Sequence, residues 1–440
     1  MSDNGLRVAV ERHLDALTEG DRRLLLDRGP ADEESLKDEV ETLMAEVRRE
    51  GDGALHRMAR DLDDVELEEL EVPKARWEEA LEALSPAVRR ALHRSARNLE
   101  RFHRAQLPDD LEVEVETGLR LGRRTVPLAS AGVYAPGGRA AYPTSVLMGA
   151  VPARAVGVEE VVVTSPPGDN GLPAPEVLAA CAVAGVDRLF ALGGAGAVAA
   201  LVYGTESVPQ VDVVVGPGNR WVTEAKRQAA GRVRTDGPAG PSEVLVVADG
   251  PRDPERLAGE LVAQAEHDPE AAVALVATDA SLVDRVRDAL AEQVAASPRR
   301  EIVEEALSFR GALLTAPDLE GALAFAEAYA AEHLLLATED PRAALEQVST
   351  AGTVFLGEPT TVAFGDYITG ANHVLPTGGR ARAFSGLSTQ DFVRSFTWQE
   401  ADASAAAQLS EDTAALADAE GLPAHAEAAR RRKGVEREEA

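Results

Sequence analysis

The chain has 440 residues, 45% hydrophobic and 27% charged, enough for two or three cores at the usual ~100–200 residues per domain, which excludes a small disulfide-stapled or disordered protein. Lys plus Arg total 45 and Asp plus Glu 75, a formal charge of −30 that repels a nucleic-acid backbone or an anionic membrane, so neither is expected as a partner. Cys181 is the only cysteine, which excludes an intrachain disulfide and thiolate zinc fingers.

No basic-then-apolar leader opens the sequence and no run of 18 apolar residues occurs in it, so the expected setting is a reducing cytoplasm. The basic charge is almost wholly Arg, with Lys only at 37, 74, 226 and 433. Such an acid-rich, Lys-poor surface is of the halophilic type, because concentrated salt screens its self-repulsion. A merely acidic, Arg-rich proteome would give the same composition.

Residues 1–104 carry helical periodicity with charges on one face, as in ESLKDEVETLMAEVRRE and PAVRRALHRSARNLERFHRAQ, and are expected to be a helical lead-in. Its four histidines, His13, His56, His93 and His103, are expected at the surface. Residues 105–242 change to short Val-rich runs, VEEVVVTSPP, VDRLFALGG and VDVVVGPGN, each followed by an Ala-rich helical stretch. Repeated strand–helix units of this length predict an α/β domain with a parallel sheet covered on both faces. Residues 243–380 repeat the pattern, with EVLVVAD, PERLAGELVAQAEHD, AAVALVATD and SLVDRVRDALAEQVAAS, and predict a second α/β domain. Residues 381–440 are expected to lack strands and to form a small helical arm with too little core to stand alone.

Chemistry-bearing residues cluster in the second half, and loops at the carboxyl ends of strands are the expected place for them. Gln264 and His267 are three apart in a helical pattern, so both side chains would reach one ion, although polar residues ending a helix look the same. Asp366 in FGDYITG adds a carboxylate and His425 a second imidazole, a donor set suited to zinc. Glu332 and His333 are adjacent, directly before the apolar run LLLAT. They read either as a helix end meeting a buried strand or as a general acid–base pair.

In the first half, Gly194, Gly196 and Ala199 form a GxGxxA pattern opening a helix, as in dinucleotide-binding folds, and Gly216-Pro-Gly-Asn219 offers main-chain N–H groups to a ligand. Cys181 lies on the apolar helix face VLAACAVAG with no neighbour to lower its pKa, and reads as a buried structural thiol. Aldehyde oxidation through a covalent thioester is therefore not expected.

Taken together, VRREGDGAL, GVYAPGG, PTSVLMGAVPARAVG, ALVYGTES, GPGN, VTEAKRQ, GPAGPSEVLV, QAEHDP, AEHL, GTVFLG, GDYITGANHVLPT and AEGLPAH resemble the histidinol dehydrogenase family over nearly the whole chain. The resemblance implies two incomplete Rossmann-like domains, 105–242 on the NAD side and 243–380 with the zinc and acid–base residues. It further implies an intertwined homodimer in which the 381–440 arm is exchanged between subunits, with one Zn2+ per site and NAD as oxidant. It assigns Gln264, His267, Asp366 and His425 to zinc and Glu332 with His333 to acid–base catalysis. Ser242, His373 and Glu420 then face L-histidinol together with the zinc residues and His333, and Tyr134 and Asn219 face NAD. Gly196 stands where the family has a cofactor-touching Gln, and Ala331 where it has Pro.

Two other functions fit the same residues. One is a zinc and NAD dehydrogenase of another amino alcohol or sulfonate; the other is a non-catalytic metal-binding relative. Retained Glu332 and His333 weigh against the second.

Overall fold

The computed structural model describes residues 6–29, 34–137 and 141–433, so Gly138 of the GVYAPGG motif lies outside the described residues. Two compact units arise, one from Met1–Gln106 with Leu128–Phe392, the other from Leu107–Pro127 with Val393–Ala440. Among the described residues no helix is long and apolar enough to cross a membrane.

The first strand, β1 (Val10–His13), is a short addition to the lead-in that was expected to be helical. It is four residues long and buries only Val10, too short to interrupt the surrounding helical pattern. The rest of the lead-in is helical, including Glu34–Glu50 and Pro86–Ala105. His103 corrects a second expectation: it is fully buried, with Nδ1 3.0 Å from the Leu99 carbonyl. The Pro86–Ala105 helix turns one face into the core through Leu92, Ser95, Leu99 and His103, and at this spacing a histidine follows the leucines inside.

After β2 (Leu111–Glu116) and β3 (Leu119–Pro127) come the strands of the first parallel sheet. These are β4 (Ser130–Tyr134), β5 (Glu160–Ser165), β6 (Arg188–Ala191), β7 (Val213–Val215) and β8 (Arg234–Thr235), ordered β6-β5-β4-β7-β8. The second parallel sheet is built from β9 (Glu243–Ala248), β10 (Ala272–Ala277), β11 (Gly311–Thr315), β12 (His333–Ala337) and β13 (Thr353–Leu356), ordered β1-β11-β10-β9-β12-β13. Apart from the added edge strand β1, the two sheets share one topology: three strands step outward in one direction and two in the other. Both faces of the second sheet are covered, with Val244 and Val246 in one cluster and Leu245 and Val247 in the other. Burial on both sides explains why these strands are continuous apolar runs rather than alternating ones.

In the second unit, β14 (Val393–Ala401) pairs antiparallel with β3, and β3 with β2. The expectation that strands stop after residue 380 is thus corrected. The sequence VRSFTWQEA is exposed along most of its length and has no apolar run to betray it. Helices Ala403–Ala419 and Pro423–Arg430 pack on each other around Ala414, Ala417 and Ala426.

Candidate active site

In the second sheet β9 and β12 are neighbours, with His333 opposite Val244. Ser242 directly precedes β9, while Glu332 precedes β12 and His333 is its first residue. These groups therefore stand at the amino ends of the strands, not at the carboxyl ends where loop chemistry was expected. In a strand–helix–strand unit the helix runs back toward that amino edge. The Pro254–Ala265 helix, which follows β9, accordingly delivers Gln264 in its last turn. His267 lies beyond the helix end, in a turn whose N–H donates to the Gln264 carbonyl over 3.3 Å. The two do not share a helical face as the spacing suggested, because the helix stops before Asp268-Pro269.

Asp366 sits in the short helix Val362–Tyr367. Its first N–H, that of Val362, donates to Glu260 Oε2 over 3.0 Å, and Glu260 lies one turn before Gln264, so the elements carrying Gln264 and Asp366 are tied to each other. His333 Nε2 is 3.4 Å from Asp366 Oδ1, and its Nδ1 is 3.4 Å from Glu332 Oε2 and 3.0 Å from the Glu243 carbonyl. His373 Nδ1 lies 2.9 Å from the Asp366 carbonyl. The result is a carboxylate–imidazole–carboxylate run in which the side chains of Glu332, His333 and Asp366 are only 7%, 4% and 12% exposed.

Burial alone would push the His333 imidazole down, but the Glu332 and Asp366 carboxylates outweigh it and hold the group well above its ordinary value. Burial raises the carboxyl of Glu332 against the pull of His333. At Asp366 burial works upward, yet the hydrogen bond and charge of His333, with His373 and His267, keep it below the usual range. Burial lowers His267 and His373, partly offset by Asp366. These mutual effects bring His267, His333, Asp366 and His373 into one electrostatic cluster.

Gln264 is 1% exposed and its amide nitrogen has no hydrogen-bond partner, an orphaned polar group of the kind a ligand satisfies. An amide oxygen, an imidazole kept neutral by burial and an ionised carboxylate suit a zinc ion in donor chemistry. Among the described residues, no three His, Cys, Asp or Glu side chains converge as a metal cluster. The fourth expected ligand, His425, lies in the other compact unit, as does Glu420. His425 is in the first turn of Pro423–Arg430, Glu420 caps Ala403–Ala419, and both are exposed.

The first sheet presents its carboxyl edge. Tyr134 ends β4, and its buried hydroxyl accepts from the Gly194 N–H over 3.3 Å; burial pushes the phenol up to about 12. Beside it, Gly216 follows β7 with φ +116, and a Cβ there would lie 2.1 Å from the Tyr134 carbonyl oxygen. This is the switch point of the sheet, where strands depart in opposite directions and open α/β sheets bind nucleotides. Asn219 caps the Arg220–Ala229 helix, accepting from Trp221 and Val222 N–H through Oδ1. Gly196, by contrast, is buried in the Gly194–Tyr203 helix, where an added Cβ would stand 2.8 Å from Met58 Sδ. Cys181 is fully buried and desolvation drives its thiol far up.

Sequence reasoning missed Glu243 and Arg28, whose side chains form a buried pair supporting Glu332 and His333. The available signal was a charged residue opening the otherwise apolar strand EVLVVA, since a buried carboxylate requires a partner.

Two parallel sheets of matching topology, one with a nucleotide-type carboxyl edge and the other with a buried carboxylate–imidazole–carboxylate run, make an α/β fold of the class dehydrogenases use. The histidinol dehydrogenase family model matches residues 26–433. Histidinol dehydrogenase of Haloarcula marismortui is 48% identical over 400 residues, 91% of this chain and 94% of that protein. That of Methanothermobacter thermautotrophicus is 43% identical over 408 residues, 93% and 96% of the two chains. The crystal structure of histidinol dehydrogenase from Elizabethkingia anophelis superposes with a TM-score of 0.92 at 32% identity, covering 97% of this chain and 98% of that one. The chain belongs to the histidinol dehydrogenase family, NAD-dependent oxidoreductases of histidine biosynthesis.

Proposed function

We propose that the protein oxidises L-histidinol through L-histidinal to L-histidine with two molecules of NAD, using one zinc ion held by Gln264, His267, Asp366 and His425. The observation that supports this reading most is the buried run Glu332–His333–Asp366, with 3.4 Å contacts on both sides of the imidazole. A zinc ion held by Gln264, His267, Asp366 and His425 would supply Lewis-acid anchorage for the substrate.

His333 Nδ1 faces the Glu243 carbonyl over 3.0 Å and Nε2 faces Asp366 Oδ1 over 3.4 Å; with the Asp366 carboxylate engaged by the ion it would hold, Nε2 is the atom that accepts the substrate hydroxyl proton while hydride passes to the first NAD. Glu332 then activates a water to attack the aldehyde. His333, its first proton released to solvent, accepts a second at Nε2, from the hydrate, as a second hydride is transferred to the second NAD. A carboxylate and two NADH result. Ser242, His373 and Glu420 hold the substrate, and Tyr134 and Asn219 hold NAD. The enzyme works as a cytoplasmic homodimer whose sites are shared, Glu420 and His425 coming from the partner's arm.

The test is stoichiometry. Zinc-loaded protein given L-histidinol should yield two NADH and one L-histidine per substrate. One NADH with accumulating aldehyde, turnover confined to a different amino alcohol, or no turnover would each replace this reading.

A further inference from the structure

Glu243 is a carboxylate in the first position of a strand whose other five residues are Val, Leu, Val, Val and Ala, and it is 2% exposed. Three donations converge on its carboxylate from segments far apart in sequence. Arg28 grips its two carboxylate oxygens as a fork, Nε and Nη2 each at 2.9 Å. The Gly378 N–H donates to Oε1 over 2.8 Å. Arg28 is itself fixed: Nη1 donates to the Leu25 carbonyl over 2.5 Å, Nη2 to the Tyr329 carbonyl over 2.9 Å, and the guanidinium lies 3.5 Å from the Tyr329 ring centre.

The main chain of the same residue faces the acid–base pair. Its N–H donates to Glu332 Oε2 over 2.6 Å, and its carbonyl oxygen lies 3.0 Å from His333 Nδ1. We propose that Glu243, locked by Arg28, is the positioning residue for Glu332 and His333, setting both their spacing and the imidazole face turned to the substrate; this rests on the acid–base roles proposed above. A well-packed apolar pair would stabilise the core as well as a buried ion pair does. What the fork adds is a fixed orientation of one peptide unit that two working side chains share. A shift of that unit displaces both of them at once, and misplacement of about 1 Å is enough to slow chemistry without weakening substrate binding.

The experiment compares Arg28→Lys, Arg28→Gln and Glu243→Gln in the full-length, zinc-loaded enzyme, with His333→Ala in parallel. It reads kcat and KM for histidinol, histidinal and NAD, bound zinc, and Tm. In Arg28→Gln and Glu243→Gln, kcat of both half-reactions should fall about 10–100-fold, while KM for histidinol and NAD stays within about threefold and zinc is retained. Arg28→Lys, which restores the charge but not the fork, should recover part of the loss. A lower Tm with unchanged kcat per folded molecule would make the pair merely structural and overturn the proposal. If a single variant fails to fold, Arg28→Met combined with Glu243→Gln removes both charges and is read the same way. An active His333→Ala would overturn the acid–base roles themselves. A dead His333→Ala beside wild-type kcat in Arg28→Gln would overturn only the positioning.

Discussion

Lys226 and Asp236 close on the same residue from both sides: Gly216 donates its N–H to Asp236 Oδ2 over 2.8 Å, and its carbonyl accepts from Lys226 Nζ over 2.8 Å. The two side chains also pair with each other and are 5% and 1% exposed. The clamp fixes the start of the Gly216–Asn219 turn beside Tyr134, on the sheet edge assigned to NAD. Asp236→Asn leaves the ammonium buried and uncompensated, a change that costs about 3–5 kcal/mol. The expected outcome is a lower Tm together with a roughly tenfold higher KM for NAD, while KM for histidinol stays near wild type. Equal rises in both constants would detach the clamp from the cofactor.

The roles proposed for Glu332 and His333 separate by half-reaction. His333→Ala should abolish both oxidations with zinc and histidinol still bound, because only the proton acceptor is removed. Glu332→Gln should spare alcohol oxidation more than aldehyde oxidation, since only the second needs an activated water. Single-turnover assays starting from histidinol and from histidinal measure this, and equal losses would end the division of roles.

At Gly196 the family resemblance implies a lost cofactor contact, but the structure adds a steric term. A side chain there meets Met58, whose sulfur would lie 2.8 Å from the new Cβ. Gly196→Gln alone should therefore leave NAD affinity near wild type or lower it. Combining it with Met58→Ala should tighten binding by about 2- to 10-fold, the equivalent of one ordinary hydrogen bond. Titration of NAD by calorimetry decides; a double variant no tighter than the single one would mean the amide does not reach the cofactor.

What the sequence could show depended on burial and on distance along the chain. EVLVVA and AVALVA were legible as strands because both faces are buried, whereas β14 is solvated and β1 is only four residues long. Cys181 was legible as buried because its whole neighbourhood is apolar. Within the site, Glu332 and His333 are adjacent, and Asp366 and His373 share one short motif, so local pattern sufficed. Local pattern could not reveal that Arg28 reaches Glu243 across 215 positions. Nor could it reveal that Glu332 and His333 stand at the amino edge of their sheet, which depends on how the strands are ordered.

His103 offers a pH test away from the site. Burial lowers its pKa against the pull of the Leu99 carbonyl, so the unfolded chain binds the proton more readily than the fold does. Its contribution is fully present above the unfolded value of about 6.5 and is lost as pH falls from there to the folded value. Chemical denaturation between pH 5 and 7.5 should show wild-type stability declining more steeply toward acid than that of His103→Leu, which keeps the shifted His267, His333 and His373 and the carboxylates. Matching slopes would show that His103 is not held neutral.

The proposed sharing of the site between subunits makes the last prediction. The second unit has a small three-stranded sheet and two helices, carries Glu420 and His425, and exposes Leu111, Val113, Val115 and Phe396. Exchange of such an element between identical subunits anchors it at low cost. Asp366→Ala and His425→Ala should each be inactive in isolation. If His425 reaches the partner's Asp366, a mixed dimer gathers both lesions in one site and leaves the other intact. Random pairing then makes about half the dimers mixed and restores about a quarter of all sites. If His425 instead serves its own chain, every site in the mixture keeps one lesion and no activity returns. Co-expression of the two variants with different affinity tags, followed by sequential purification and assay of the doubly tagged dimer, separates the two cases.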